Sequence, residues 1–166
     1  MIDNIDNIKI IVQLLKHNNI KKIVISPGGT NIPFVRAVQD DPDFECFSVV
    51  DERSAVYFAI GLYLQCGEPI VCSCTSAQAT RNYIPGLTEA YYKRVPILAV
   101  TMAKHPRFTY QEYMQAPDQT SLPNDCVKKS IALPFLSDIN GKIESVQKVN
   151  EAIDLLQSGR VGPVQL

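Results

Sequence analysis

Three short stretches hold most of the residues that could do chemistry: SPGGTN at 26–31, DER at 51–53 and TSAQATRN at 75–82. The middle one supplies a carboxylate, Glu52. It follows an apolar run at 46–50 and opens a long helical pattern that stops at Gly67. The run has the length and β-branched content of a buried strand. Asp51 suits the N-cap of the helix and Gly67 its C-terminal end. Glu52 is therefore placed where a strand's carboxyl end meets a helix N-terminus, the edge at which open α/β sheets bind ligands. The plainer alternative is that both acids only cap the helix and offset its dipole, a common use of acids in first turns.

In the first stretch, Gly28 and Gly29 allow tight backbone geometry and close approach to a ligand. Thr30 or Asn31 can cap the helix that follows, with Pro33 in its first turn. The pattern is neither the dinucleotide fingerprint GxGxxG nor a P-loop. In the third stretch, Thr75 and Ser76 bring hydroxyls and amides to a helix start. Ala79, Asn82 and Gly86 are small or polar along that helix, and Pro85 must kink or break it. No His or Cys stands at triad spacing from a serine. Cys72 and Cys74 share one strand face. With only His17 and His105 as distant further ligands, they read as buried thiols and no metal site is expected. His17 reads as a helix-end residue.

These stretches need a scaffold. Ile8, Ile11, Val12 and Leu15 mark an amphipathic helix over 6–19, and Val146, Val149, Ile153 and Leu156 mark another over 143–157. A long helix follows Asp51, and shorter ones fall at 32–38 and 87–92. Strands are expected at 23–25, 46–50, 70–74, 96–102, 127–131 and 164–166. Alternating strands and helices predict a three-layer α/β/α fold with a parallel sheet of about six strands. The length, 166 residues, suits one domain spanning 1–166. The stretch 103–125 is a long loop with Pro106, Pro117 and Pro123, and loops of this length are usually functional or mobile. Gln111, Glu112 and Gln115 could reach a site from it. Residues 55–64 (AVYFAIGLYL) carry no charge or amide. A helix apolar all round must be buried on all sides, so one face is expected to be covered by another subunit or domain. Ala55, Ala59 and Gly61 would permit that close approach.

Composition excludes several classes. Sixteen basic and seventeen acidic residues give a net charge of −1, so no phosphate-tracking surface for nucleic acid is expected. The opening MIDNIDN lacks the basic-then-apolar order of a signal peptide, and no apolar run nears the ~20 residues of a membrane span. Five cysteines, an odd number, suit free thiols in a reducing cytoplasm. The three junctions together offer one carboxylate, many backbone amides and small residues, but no base or nucleophile. Such a site suits a cofactor that brings its own chemistry.

The run SPGGTNIPF, then VVDERSAVYFAIGL, then CTSAQATRNYIPGLTEAYYKRVPILAVT, then a GPV strand, resembles the pyrimidine-binding domain of thiamine-diphosphate enzymes over nearly the whole chain. The likeness is to the 2-oxo-acid branch, which includes acetolactate synthase, benzoylformate decarboxylase and the menaquinone-pathway synthase. The resemblance implies that Glu52 is catalytic. In that family the corresponding glutamate hydrogen-bonds a ring nitrogen of the aminopyrimidine, which promotes proton loss from carbon 2 of the thiazolium and attack on a 2-oxo acid. An apolar setting for the carboxyl would favour its protonated, donating form. By the same resemblance Pro27, Gly28, Thr75, Ser76 and Asn82 would contact thiamine diphosphate, while Gly29, Thr30 and Gln115 would face the substrate.

The chain departs from the menaquinone synthase in having Thr30 where that enzyme has an arginine. It departs from acetolactate synthases in having Ala77 and Ala79 where they have glycines. The choice of substrate stays open. The family holds its diphosphate and Mg2+ in a separate domain with a GDG motif, which this sequence lacks. The resemblance thus implies a piece of a longer enzyme, inactive without that domain, or a separate subunit. It also implies a homo-oligomer, with the site shared between this domain and a diphosphate domain. The competing class is a stand-alone α/β binding or regulatory module.

Overall fold

Five parallel strands form one sheet in the order β2-β1-β3-β4-β5. They are β1 (Lys22–Ile25), β2 (Glu45–Ser48), β3 (Ile70–Cys74), β4 (Ile97–Thr101) and β5 (Val164–Gln165). The computed structural model describes residues 5–166. The helices are α1 (Ile5–His17), α2 (Ile32–Gln39), α3 (Glu52–Cys66), α4 (Gln78–Asn82), α5 (Ile84–Lys93) and α6 (Ile139–Gln157). Helices α1, α2 and α6 cover one face of the sheet, and α3, α4 and α5 the other.

Side-chain alternation decides which residue meets which layer. Ile23, Ile25, Val71, Leu98 and Val100 pack toward α1, α2 and α6 with Leu15, Phe34 and Leu156. Their neighbours Val24, Ile70, Cys72, Ile97 and Ala99 pack toward α3 and α5 with Val56, Tyr83 and Leu87. Strands buried on both faces explain why β3 and β4 read as near-continuous apolar runs. The register pairs Ile25 with Ser48 on one side and with Ser73 on the other, so the ends of β1, β2 and β3 lie level.

Apart from the strand at 127–131, the expected elements are present, with corrections at their edges. The segment at 127–131 is not a strand: it runs beside 163–165 with bonds from the Lys128 and Ile131 N–H groups and to the Lys129 carbonyl, but only Ser130 makes a bridge, an isolated one to Gln165. Among the described residues the sheet thus has five strands. The run at 46–50 is not buried on both faces. It starts at Glu45, forms the outer strand β2 and leaves Val50 75% exposed. Helix α6 begins at Ile139, four residues before the expected start at 143, because the Asp138 side chain accepts from the Gly141 N–H at 2.8 Å and caps it. Pro85 breaks the third-junction helix as expected: α4 ends at Asn82 and α5 begins at Ile84.

Asp51 accepts from the Ser54 N–H at 2.7 Å, and Gly67 ends α3 in the left-handed conformation with φ 71°. Glycine holds that conformation without the Cβ penalty. Inside the chain, α3 buries Ala55, Val56, Ala59 and Ile60. The expectation that the small residues line an outer contact is corrected here: Ala55 and Ala59 face the sheet, and only Gly61 is outward. Tyr57, Phe58 and Leu64 are left exposed, Leu64 at 70%. All five cysteines are free. Among the described residues no helix is long and apolar enough to cross a membrane, and no cluster of three or more His, Cys, Asp or Glu could hold a metal.

Candidate functional site at the carboxyl edge of the sheet

The chain leaves β1 toward β2 on one side and later places β3 on the other side of β1. The crevice at such a reversal of strand order is where doubly wound sheets bind ligands. Two of the junctions read from sequence, 26–31 after β1 and 75–77 after β3, flank this crevice. Glu52 stands beside them, after β2.

The first two junctions to be joined are those after β1 and β3. A Cβ on Gly28 would lie 2.3 Å from the Thr75 Cβ, so only a glycine lets the loops meet this closely. Above that contact the Thr30 and Thr75 hydroxyl oxygens lie 2.8 Å apart in a hydrogen bond. The Ser76 N–H donates to Thr30 Oγ1 at 3.0 Å, and the Thr30 N–H to Thr75 Oγ1 at 3.3 Å. Both threonine hydroxyls are therefore engaged with each other. Gly29 has no neighbour within 4 Å of where a Cβ would stand and borders open space. Pro27 is exposed and Ser76 buried.

Asn31 does not cap α2 with its side chain. It is fully buried, and its Nδ2 donates to the Ser26 carbonyl at 3.0 Å and to Ser73 Oγ at 3.2 Å. Its backbone is already helical, so its side chain turns inward and secures the loop to β3. Ser26, also buried, donates to the Val49 carbonyl at 3.0 Å, which ties the end of β1 to the segment before Asp51. Asn31 Oδ1 and Tyr83 Oη are buried without a hydrogen-bond partner among the described residues.

Glu52 is the first residue of α3 and half-buried. Asn82, the last residue of α4, donates from Nδ2 to Glu52 Oε2 at 3.0 Å. No described residue bonds Oε1. The neighbouring cap, Asp51, has its carboxyl held below the ordinary value, first by the Ser54 backbone N–H. Beneath the edge, burial pushes the Cys74 thiol up to about 12 and drives Cys72 and the Tyr83 hydroxyl upward as well.

The long loop reaches this region through a residue that the sequence did not single out. Gln119 is buried; its Oε1 accepts from the Ala77 N–H and its Nε2 donates to the Met102 carbonyl at 3.2 Å. Ala77 has φ 73° and ψ −123°, a strained geometry for alanine that the surrounding contacts hold in place. Arg81 adds two clamps, donating to the Ser121 and Asp118 carbonyls at 2.7 and 2.6 Å. Gln111, Glu112 and Gln115 are exposed on the outer part of the loop. No local signal separates Gln119 from Gln111 or Gln115, because its selection depends on how the loop folds back. A cavity of about 490 Å³ lies under this loop, lined among others by Ile11, Met102, Lys104, Gln119 and Gln165. None of Thr30, Glu52, Thr75 or Asn82 lines it, so this cavity is separate from the carboxylate.

Comparison with known proteins agrees with this geometry. Residues 7–122 match the family described as thiamine pyrophosphate enzyme, N-terminal TPP binding domain. The chain is 37% identical over 160 residues to 2-succinyl-5-enolpyruvyl-6-hydroxy-3-cyclohexene-1-carboxylate synthase of Bacteroides fragilis, covering 96% of this chain and 29% of that protein. The synthase of the same name from Desulfotalea psychrophila is 35% identical over 150 residues, covering 90% of this chain and 28% of that protein. The fold matches that of a thiamine diphosphate-dependent 4-hydroxybenzoylformate decarboxylase from Rhodococcus jostii RHA1, with a TM-score of 0.80 and 22% identity, over 96% of this chain and 29% of that one. The chain thus spans under a third of the length of these relatives. Its motifs, strand order and family match lead to one conclusion: this chain belongs to the thiamine pyrophosphate enzymes, as an N-terminal TPP-binding domain.

Proposed function

We propose that this chain forms the aminopyrimidine-binding part of a thiamine-diphosphate-dependent enzyme acting on a 2-oxo acid, with Glu52 as its catalytic residue. The observation that carries this is the half-buried Glu52 carboxylate beside the strand-order reversal, with one oxygen free of partners among the described residues. The residues fit such a group. Gly29 borders open space, and the Gly28–Thr75 contact closes the crevice floor beneath it. When bound, the cofactor supplies the electron sink for carbon dioxide loss from a 2-oxo acid or for joining it to an acceptor. Glu52 Oε1 holds a proton at the ring nitrogen. Pro27, Gly28, Thr75 and Ser76 shape the pocket by backbone and packing, since the Thr30 and Thr75 hydroxyls are engaged with each other. Gly29 and Thr30 border the substrate, and the long loop contributes through Gln119, with Gln115 further out.

The diphosphate and Mg2+ fall to a separate domain of the same enzyme, so the 166-residue chain alone is expected to turn over no 2-oxo acid. The synthase relatives favour joining a 2-oxo acid to an acceptor over simple decarboxylation. The exposed apolar face of α3 supports a homo-oligomer. Five free thiols suit a cytoplasmic setting. The test is Glu52→Gln in the full-length protein, read as hydrogen–deuterium exchange at carbon 2 of bound thiamine diphosphate. The exchange is expected to slow by about a hundredfold or more, the scale of lost proton-transfer catalysis. An unchanged exchange rate in a folded variant reduces Glu52 to a helix-start acid.

A further inference from the structure

Glu52 and Asn82 form the upper of two contacts between neighbouring helices. Glu52 and Val56 stand four residues apart on α3, and Asn82 and Gly86 stand four apart across the α4–α5 junction. The first pair shares a face of α3, and the second spans the α4–α5 break, where Tyr83 keeps helical dihedrals. The lower contact is tight: a Cβ on Gly86 would fall 2.5 Å from the Val56 Cβ, so the helices approach as closely as a glycine allows. Tyr83, fully buried between them, anchors the junction. One turn before Val56 on α3, Glu52 Oε2 lies 3.0 Å from the Asn82 amide at the end of α4.

We propose that Asn82 is a positioning residue that divides the two oxygens of Glu52 between tasks, Oε2 for the Asn82 amide and Oε1 for the ring nitrogen of the cofactor. The inference rests on the reading of Glu52 given above. It replaces the expected role of Asn82 as a direct cofactor contact. An amide N–H only donates, so while it is bound to Oε2 the proton exchanged with the ring passes through Oε1. A glutamate side chain at a half-open edge otherwise samples several rotamers. Misplacement of a reacting group by about 1 Å can cost about a hundredfold in rate. The Asn82 side chain is exposed and bonds Glu52 beside the close Val56–Gly86 contact.

The experiment uses the full-length protein and four variants: Asn82→Leu, Asn82→Gln, Glu52→Gln and the double variant Glu52→Gln/Asn82→Leu. Exchange at carbon 2 of bound thiamine diphosphate is measured beside cofactor affinity and melting temperature. Asn82→Leu keeps the volume and loses the donor. It is expected to slow exchange by about tenfold to a hundredfold, with affinity within about threefold of wild type. Asn82→Gln, which keeps a donor, recovers part of the rate. The double variant is no slower than Glu52→Gln, because Asn82 acts only through that carboxyl. A crystal structure of cofactor-free Asn82→Leu shows the Glu52 carboxyl away from its wild-type position. Multiplying losses in the double variant, or affinity falling in step with exchange, overturn the inference in favour of direct cofactor contact. If Glu52→Gln slows exchange and Asn82→Leu does not, this inference alone fails. If Glu52→Gln has no effect, the reading of Glu52 fails and this inference falls with it.

Discussion

Gly28 sits against Thr75 with no room for a side chain: a Cβ on Gly28 would overlap the Thr75 Cβ at 2.3 Å. The φ of Gly28, 173°, is extended and open to any residue. The requirement for glycine is therefore the approach of the two loops. Gly28→Ala is expected to destabilise the fold by about 1–3 kcal/mol, the usual cost of overpacking. Thr75→Gly in the same chain should restore part of that loss, because it removes the atoms the new methyl meets. Denaturant melts of the two single variants and the double variant check this, and strictly additive losses would contradict it.

The Asp51 cap carries a pH dependence of known sign. Hydrogen bonding to the Ser54 N–H holds the carboxyl below its ordinary value of 3.8 in the folded chain. A carboxyl depressed by folding contributes stability above its unfolded value and loses it as pH falls through the folded one. Asn also caps, but without charge. Wild type should therefore exceed Asp51→Asn in melting temperature at about pH 7, with the gap closing toward about pH 3. A gap that stays constant over that range means that the charge contributes nothing.

Helix α3 leaves Tyr57, Phe58 and Leu64 exposed, and Val50 beside its start is 75% exposed. Tyr57 and Leu64 stand seven residues apart, two helical turns on one face. Self-association through this face is expected. Tyr57→Glu together with Leu64→Glu should weaken it by about tenfold or more in dissociation constant, since central aromatic and aliphatic contacts dominate interfaces. Melting of the monomer should change little, because neither side chain is in the core. Sedimentation of the wild type as a monomer at high concentration would contradict this.

The five thiols should separate cleanly by reactivity. Cys66 is exposed, whereas Cys72 and Cys74 line the central strand β3. Burial pushes Cys74 up to about 12, so its thiolate is scarce at neutral pH. Alkylation of the native protein followed by peptide mapping should label Cys66 first, and Cys72 and Cys74 only on unfolding. Labelling of Cys74 as fast as Cys66 would show that β3 opens independently of the rest of the fold.

What the sequence determined by itself is what short-range chemistry encodes. Ile8, Ile11, Val12 and Leu15 fix the buried stripe of α1, and Asp51 and Gly67 fix both ends of α3 through capping and a left-handed turn. The break at Pro85 follows from its missing N–H. The motif order around Glu52 was enough to place the chain in its family. Other features depend on partners distant in the chain. Only the strand order put the loops after β1 and β3 on either side of one crevice, because the apolar runs of β1, β3 and β4 are alike and carry no label for their neighbours. The outer position of β2 followed from that order too. Asn31 reads as a cap locally, yet its amide bonds Ser26 and Ser73 once those residues are adjacent. Gln119 outranks Gln115 only after the long loop folds back to the Ala77 amide. The pairing of Asn82 with Glu52, thirty residues away, exists because Gly86 lets one helix settle against Val56 of another. Local pattern thus set the elements and their ends, while long-range packing chose the polar partners.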